Sequence, residues 1–208
     1  VKKQSLDLKN YILHLDNWIP QNILDDSLKE LKKNKTWQRH FYTSTQNYNE
    51  FDKNGERELD VCYGDDLTYI EELMRLTWKA LEKYIVIDKI SGPQFDGWKG
   101  FYKLRFNRYN KNQIMSKHCD HIHSLFTGEK RGIPILSIVG VLNDDYEGGE
   151  MYIDTEKDYW KQDPQQLVKL QKAGSISVFP SDRWHKVAKV TKGIRYSLVV
   201  WLMGDPWK

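Results

Sequence analysis

Residues 116–123, SKHCDHIH, place three histidines, an aspartate and a cysteine within eight consecutive positions, the densest run of metal-ligating side chains in the chain. If this segment is a β-strand, side chains alternate between its faces, so His118 and Asp120 project to one side while Cys119 and His121 project to the other. Only the H-x-D pair can then share one ion. An imidazole nitrogen and a carboxylate oxygen, completed by a second histidine, form a face that holds Fe(II) and leaves three octahedral positions open to reactants. Of the six histidines, His14 precedes the first expected helix and His40 lies in a polar stretch, so neither belongs to the strand-rich region. His185, which follows the turn FPSDRW and opens an expected strand, is the candidate for the second imidazole.

Ten residues further on, RYSLVVWL (residues 195–202) places Arg195, Ser197, Val199 and Trp201 on one face and Tyr196, Leu198, Val200 and Leu202 on the other. An arginine heading an otherwise apolar strand costs stability unless it is paired. Its planar fork suits a carboxylate, and Ser197 can add a hydroxyl from the same face. That carboxylate is either one of the protein's own acids or a bound dicarboxylate that also reaches the metal.

These side chains need a scaffold. The 208 residues, 39% of them hydrophobic and 13% aromatic, suffice for one well-buried core, and a single domain is expected over 1–208. Two helices are expected in its first part. PQNILDDSLKELKKN (20–34) carries Ile23, Leu24, Leu28 and Leu31 at helical spacing, and the pattern over 67–87 gives a stripe of Ile70, Leu73, Met74, Trp78 and Leu81. From about Lys99 the texture changes to short Val, Ile, Tyr and Phe-rich runs, read as strands at 102–109, 115–121, 134–143, 150–154, 175–179, 185–190 and 195–202. NDDYEGGE (143–150) is a turn with two glycines, and the polar stretch 155–174 is an excursion over the surface. Residues 1–95 thus form a helical support region and 96–208 a β core. Net charge is only +3 with both signs interspersed, which argues against nucleic acid as a partner. No run approaches the roughly 20 apolar residues of a membrane helix. The two cysteines, Cys62 and Cys119, read as free thiols of a cytoplasmic protein.

Tyr109, the H-x-D pair of His118 and Asp120, LNDDYEGGE, FPSDRWH ending at His185, VTKG and RYSLVVW, in that order, together resemble the prolyl-hydroxylase branch of the Fe(II)/2-oxoglutarate-dependent oxygenases. Both the procollagen prolyl 4-hydroxylases and the oxygen-sensing prolyl hydroxylases share this order. The resemblance spans roughly residues 102–201 and implies a mainly β protein. Its core would be a double-stranded β-helix, a cupin-like jelly roll, with N-terminal helices packed on the major sheet. It also implies metal ligation by His118, Asp120 and His185, and 2-oxoglutarate binding by Arg195 and Tyr109 with Ser197 lining the same pocket. Trp201 would border the prolyl site, and Asp60 and Tyr63 would lie on a mobile loop over it. The implied reaction hydroxylates a C–H bond using O2 and 2-oxoglutarate, releases succinate and CO2, and draws on ascorbate as a supporting reductant. A prolyl residue in a peptide or protein is the leading substrate; another amino acid side chain, a free amino acid or a small metabolite remain alternatives. The chain departs from the oxygen-sensing members at Pro134, where they carry a substrate-contacting arginine; Arg131 is close but out of register.

A different class of reading is a non-enzymatic, cupin-like metal-binding module. It would take its ligands locally, from His118, His121 and His123, and leave Arg195 as an ordinary ion-pair partner. Strand alternation opposes it, because His118 faces away from His121. Trp184, just before His185, reads as a packing residue.

Overall fold

A computed structural model describes residues 8–33, 36–41, 56–90, 97–121, 132–155, 165–168 and 172–205. In chain order the elements are β1 (Leu13–Leu15), α1 (Gln21–Lys33), β2 (Gln38–Arg39), β3 (Arg57–Glu58), β4 (Asp60–Tyr63), α2 (Ile70–Glu82), β5 (Gly100–Phe101), β6 (Arg105–Tyr109), β7 (Gln113–His118) and β8 (Ile133–Val141). They continue with β9 (Glu147–Gly148), β10 (Met151–Asp154), β11 (Gln165–Val168), β12 (Ile176–Pro180), β13 (His185–Val187), β14 (Val190–Lys192) and β15 (Arg195–Gly204). The major sheet runs β1-β12-β8-β15-β6-β4-β2, with β5 also paired to β15. The minor sheet runs β11-β10-β13-β7-β3, and β14 pairs with β9. Two facing sheets joined by strands that pass between them make the double-stranded β-helix.

The long central strands explain the major sheet. Every residue of β8 and of β15 is buried, because each strand separates two apolar layers and presents alternate side chains to both. On β15, Tyr196, Leu198, Val200 and Leu202 join Ile138, Phe106 and Val178 under the helices, where Leu24 and Leu31 of α1 and Leu73 and Leu81 of α2 pack. Val199, Trp201 and Met203 face the other way, toward Tyr109, Met115, Ile153 and Phe179 between the sheets. The helices therefore cover the outside of the major sheet, and the inner layer is left for the site.

Several expectations need correction. The segment before residue 96 is more than a helical support, since β1 pairs with β12, β4 with β6 and β3 with β7. Those strands are two to four residues long, too short to show a period of two in sequence, and their pairing is imposed by the sheet edges they join. Trp78 leaves the buried stripe of α2; it is 40% exposed and packs edge-on against Trp98 and Phe101. The expected excursion contains β11, which pairs with β10. The expected strand 185–190 divides into β13 and β14. The NDDYEGGE turn contains the short strand β9, and Gly148 and Gly149 have φ of 76° and 70°. A Cβ on Gly148 would lie 2.3 Å from the Lys189 carbonyl oxygen, so glycine is required there. Among the described residues no helix is long and apolar enough to cross a membrane, and Cys62 and Cys119 are free thiols.

Candidate metal centre

His118 ends β7 and His185 begins β13, and the two are direct partners in the antiparallel register. Cross-strand neighbours project to the same side, so the two imidazoles meet with ring centroids 4.1 Å apart. β7 stops at His118, three residues short of the expected end. Asp120 lies in the turn beyond, where its backbone N–H and that of His121 both donate to the Ser181 carbonyl, at 2.9 and 3.1 Å. The turn still brings the carboxylate back to the two histidines. The His118 Nε2 is 3.2 Å from Asp120 Oδ1 and the His185 Nε2 is 3.6 Å from Oδ2. Ligand atoms of all three residues lie within 4.8 Å of one another, and all three residues are buried.

The surroundings fix which atoms point inward. His118 Nδ1 is 2.8 Å from the Ser116 carbonyl and His185 Nδ1 is 2.9 Å from the Arg183 carbonyl. A carbonyl only accepts, so each Nδ1 carries the proton and each Nε2 offers a lone pair toward the centre. Burial pushes His185 down to about 4, helped by the neighbouring His118, which keeps its imidazole neutral. Burial works against ionisation of Asp120. In the metal-free protein the attraction of His185 and His118 in their protonated forms and the Ser137 hydroxyl outweigh it and hold this carboxyl well below the usual range. Two imidazoles with Nε2 turned inward and one carboxylate, each held from behind, are the ligand set that a divalent metal requires of such a site.

Ser137 donates to Asp120 Oδ2 at 2.7 Å and stands 2.8 Å from the Ser181 hydroxyl. Neither serine was singled out from sequence. The signal was available for Ser137, a hydroxyl in the wholly apolar run PILSIVGV, which must find a partner once buried. Ser137→Ala is expected to weaken Fe(II) binding by about 10–100-fold, the usual effect of losing a group that orients a ligand. Metal titration of the folded variant measures this, and undiminished affinity would show that Asp120 is held without Ser137.

Arg195 lies on the same inner layer and is completely buried. Asn143, also missed in sequence, holds the backbone on either side of it, donating to the Ile194 carbonyl at 2.7 Å and accepting from the Tyr196 N–H at 2.7 Å. The guanidinium lies 4.8 Å from the centroid of Tyr109, its cross-strand partner, and Nη1 donates to Ser197 Oγ at 3.1 Å. Nε and Nη2 have no hydrogen-bond partner, and no carboxylate among the described residues pairs with this charge. Burial raises the Tyr109 hydroxyl above its usual range, so it stays protonated and able to donate. A carboxylate from outside the protein would satisfy all of these groups.

The remaining assignments separate. Trp201 is buried on the inner layer opposite Ser137 and meets Tyr102 edge-on, with centroids 6.0 Å apart. Tyr63, at the end of β4, is 44% exposed and also meets Tyr102 edge-on, with centroids 6.2 Å apart. Asp60 is not on a mobile loop. It is buried in β4 and accepts from Arg108 at 3.1 Å, Asn110 at 2.8 Å and Gln113 at 3.1 Å, a network that ties β4, β6 and β7 together. His121 points away from the cluster, its Nδ1 2.8 Å from the Pro134 carbonyl. His123 and Arg131 lie outside the described residues. Trp184 is 37% exposed rather than packed. His40, passed over as part of a polar stretch, is buried; its burial and the charges of Arg105 and His118 push it down to about 3. Arg105 and Asn107 share the inner face of β6 with Tyr109 and were also overlooked, because an Arg-x-Asn-x-Tyr alternation gives no apolar period.

A sequence model of the 2OG-Fe(II) oxygenase superfamily matches residues 104–203. A PKHD-type hydroxylase of Parvibaculum lavamentivorans is 28% identical over 150 residues, covering 72% of this chain and 59% of that protein. Another, of Thermosynechococcus vestitus, is 32% identical over 139 residues, covering 64% and 54%. The chain thus spans less than two thirds of the length of these relatives. Among solved structures, a Pseudomonas putida prolyl-4-hydroxylase aligns with a TM-score of 0.63 at 17% identity, over 93% of this chain and 92% of that one. A Trichoplax adhaerens prolyl hydroxylase, in complex with a hypoxia inducible factor peptide fragment, aligns with a TM-score of 0.64 at 14% identity, over 93% and 84%. At these identities the structural likeness is one of fold.

Proposed function

We propose that the chain, whose residues 104–203 match the 2OG-Fe(II) oxygenase superfamily, is an Fe(II)- and 2-oxoglutarate-dependent hydroxylase acting as one domain, with a prolyl residue of a peptide or protein as its leading substrate. One observation carries the reading. The inward-facing Nε2 atoms of His118 and His185 converge with the Asp120 carboxylate, and the same inner layer carries a fully buried Arg195 that pairs with no acid among the described residues.

His118, Asp120 and His185 would hold the iron, each already oriented by a partner that is not a ligand. Bound Fe(II), 2-oxoglutarate and O2 supply the C–H oxidation, in which one oxygen atom goes to the substrate and the other to succinate, with release of CO2. Arg195 would bind the far carboxylate of 2-oxoglutarate through its two unpaired nitrogens, with the Tyr109 and Ser197 hydroxyls on either side. Trp201, with Tyr102 and Tyr63 leading outward from it, gives a ring-lined approach suited to the flat apolar face of a proline. The similarity to PKHD-type hydroxylases supports the hydroxylase reading. A cytoplasmic location fits the two free thiols.

The deciding experiment measures succinate release, with ascorbate present, against proline-rich peptides, free proline and a panel of other free amino acids. The expected result is prolyl-stimulated turnover with a product heavier by one oxygen atom. Stimulation by none of the prolyl compounds would remove the prolyl assignment, and absence of any 2-oxoglutarate turnover would remove the oxygenase assignment itself.

A further inference from the structure

The inner face of β6 carries a second buried arginine. Arg105 is 9% exposed, its Nε has no hydrogen-bond partner, and no carboxylate among the described residues pairs with it. Its guanidinium lies 4.6 Å from the centroid of the Trp201 ring. Arg108 on the opposite face of the same strand shows what an internally satisfied arginine looks like here: it donates to Asp60 at 3.1 Å while lying over Trp37. An aromatic face offsets only part of the cost of sealing its Nε from solvent without a partner. Its charge acts on His40, His185, Tyr63 and Tyr109. Among the described residues no acid is paired with the Arg105 charge.

Arg105 and Arg195 stand at different points along the inner layer. In the β6–β15 register Tyr109 lies opposite Arg195 and Arg105 opposite Val199, four residues along the strand, or about 13 Å at the usual rise per residue. Arg105 stands at the Trp201 end, and Trp201 is the cross-strand partner of Ser137, which holds Asp120. Arg195 thus stands at the head of β15, on the proposed cosubstrate side, and Arg105 nearer Trp201, where the substrate ring would enter.

We propose that Arg105 binds a carboxylate of the primary substrate while Trp201 packs against its apolar part, so that the oxidised residue carries or adjoins a negative charge. This rests on the metal-site reading above and narrows its substrate class. The carboxylate can be the α-carboxylate of a free or C-terminal residue, or an acidic side chain next to the oxidised residue; both present the same two oxygens to the guanidinium fork.

The test uses the whole chain loaded with Mn(II) and 2-oxoglutarate, and reads paramagnetic broadening of the probe's proton resonances. Four probes are compared: N-acetylglycylproline, its C-terminal amide, and two amidated internal-proline peptides with aspartate or asparagine before the proline. The expected result is at least about a tenfold preference for one acid over its neutral partner, and the preferred pair identifies the source of the carboxylate. Arg105→Gln is expected to bring the members of that pair within about twofold of each other. Arg105→Lys keeps the charge without the paired N–H groups, is expected to retain only part of the preference, and decides the question if the Gln variant does not fold. Equal broadening by acid and neutral probes, no broadening by any probe, or a preference unchanged in the variants overturns the proposal. A binding preference without succinate release would instead count against the hydroxylase reading alone.

Discussion

In Asp120→Asn, Fe(II) affinity is expected to fall by about 100-fold or more and 2-oxoglutarate turnover to fall with it, while the metal-free protein stays folded. Asp120 is the only anionic member of the candidate ligand set, and loss of groups that merely orient a ligand already costs about 10–100-fold in affinity. Asparagine keeps the shape of the side chain and one carbonyl oxygen, so Ser137 retains an acceptor and the Ser181 carbonyl retains the backbone N–H of residue 120. What disappears is the charge that a divalent ion needs between two neutral imidazoles. Direct metal analysis, an Fe(II) titration and a thermal melt without metal separate these effects. Near wild-type iron affinity would rule out this carboxylate as a ligand. A collapse of the metal-free fold would mean that Asp120 serves mainly to hold the turn after β7.

Much of this centre was legible in the sequence because it depends on strand alternation. Arg195, Ser197, Val199 and Trp201 share the inner face of a fully buried strand, as a period of two requires. The same rule split HCDHIH and excluded His121, which turns instead to the Pro134 carbonyl. Alternation gave a sound answer for Asp120 on an unsound premise, since the strand ends at His118 and a hydrogen-bonded turn carries the carboxylate inward. Contacts between segments distant in sequence were not legible. Ser137 and Ser181 meet Asp120 only after β8 and β12 have paired. His40 reaches the site because a two-residue strand at the edge of the major sheet delivers it there. Asp60 was misplaced for the complementary reason. A short DVCY run reads as loop, yet pairing with β6 makes it a strand whose acid is consumed by Arg108, Asn110 and Gln113.

Arg195→Met is expected to leave the protein without 2-oxoglutarate as stable as the wild type, or more stable, while weakening 2-oxoglutarate binding by about 2–5 kcal/mol, equivalent to about 30-fold to several thousand-fold in Kd. The two halves of this result have opposite signs for one reason. Arg195 is fully buried, yet its partners are a single serine hydroxyl and the face of Tyr109, with two nitrogens unsatisfied. An apolar side chain of similar length removes that uncompensated charge, and such replacements are neutral or stabilising when no ion pair is broken. In the bound state the same charge would meet a carboxylate across two parallel hydrogen bonds, and methionine offers none. Thermal melts expose the contrast directly: at 2-oxoglutarate concentrations about 100 times Kd the wild type gains about 2.7 kcal/mol from ligand linkage, and the variant gains essentially nothing. If Arg195 instead paired with an acid of the protein itself, the substitution would strand that acid, lower the melting temperature without ligand, and leave any 2-oxoglutarate affinity unchanged. The sign of the change without ligand therefore separates a cosubstrate anchor from an ordinary ion-pair partner before any turnover is measured.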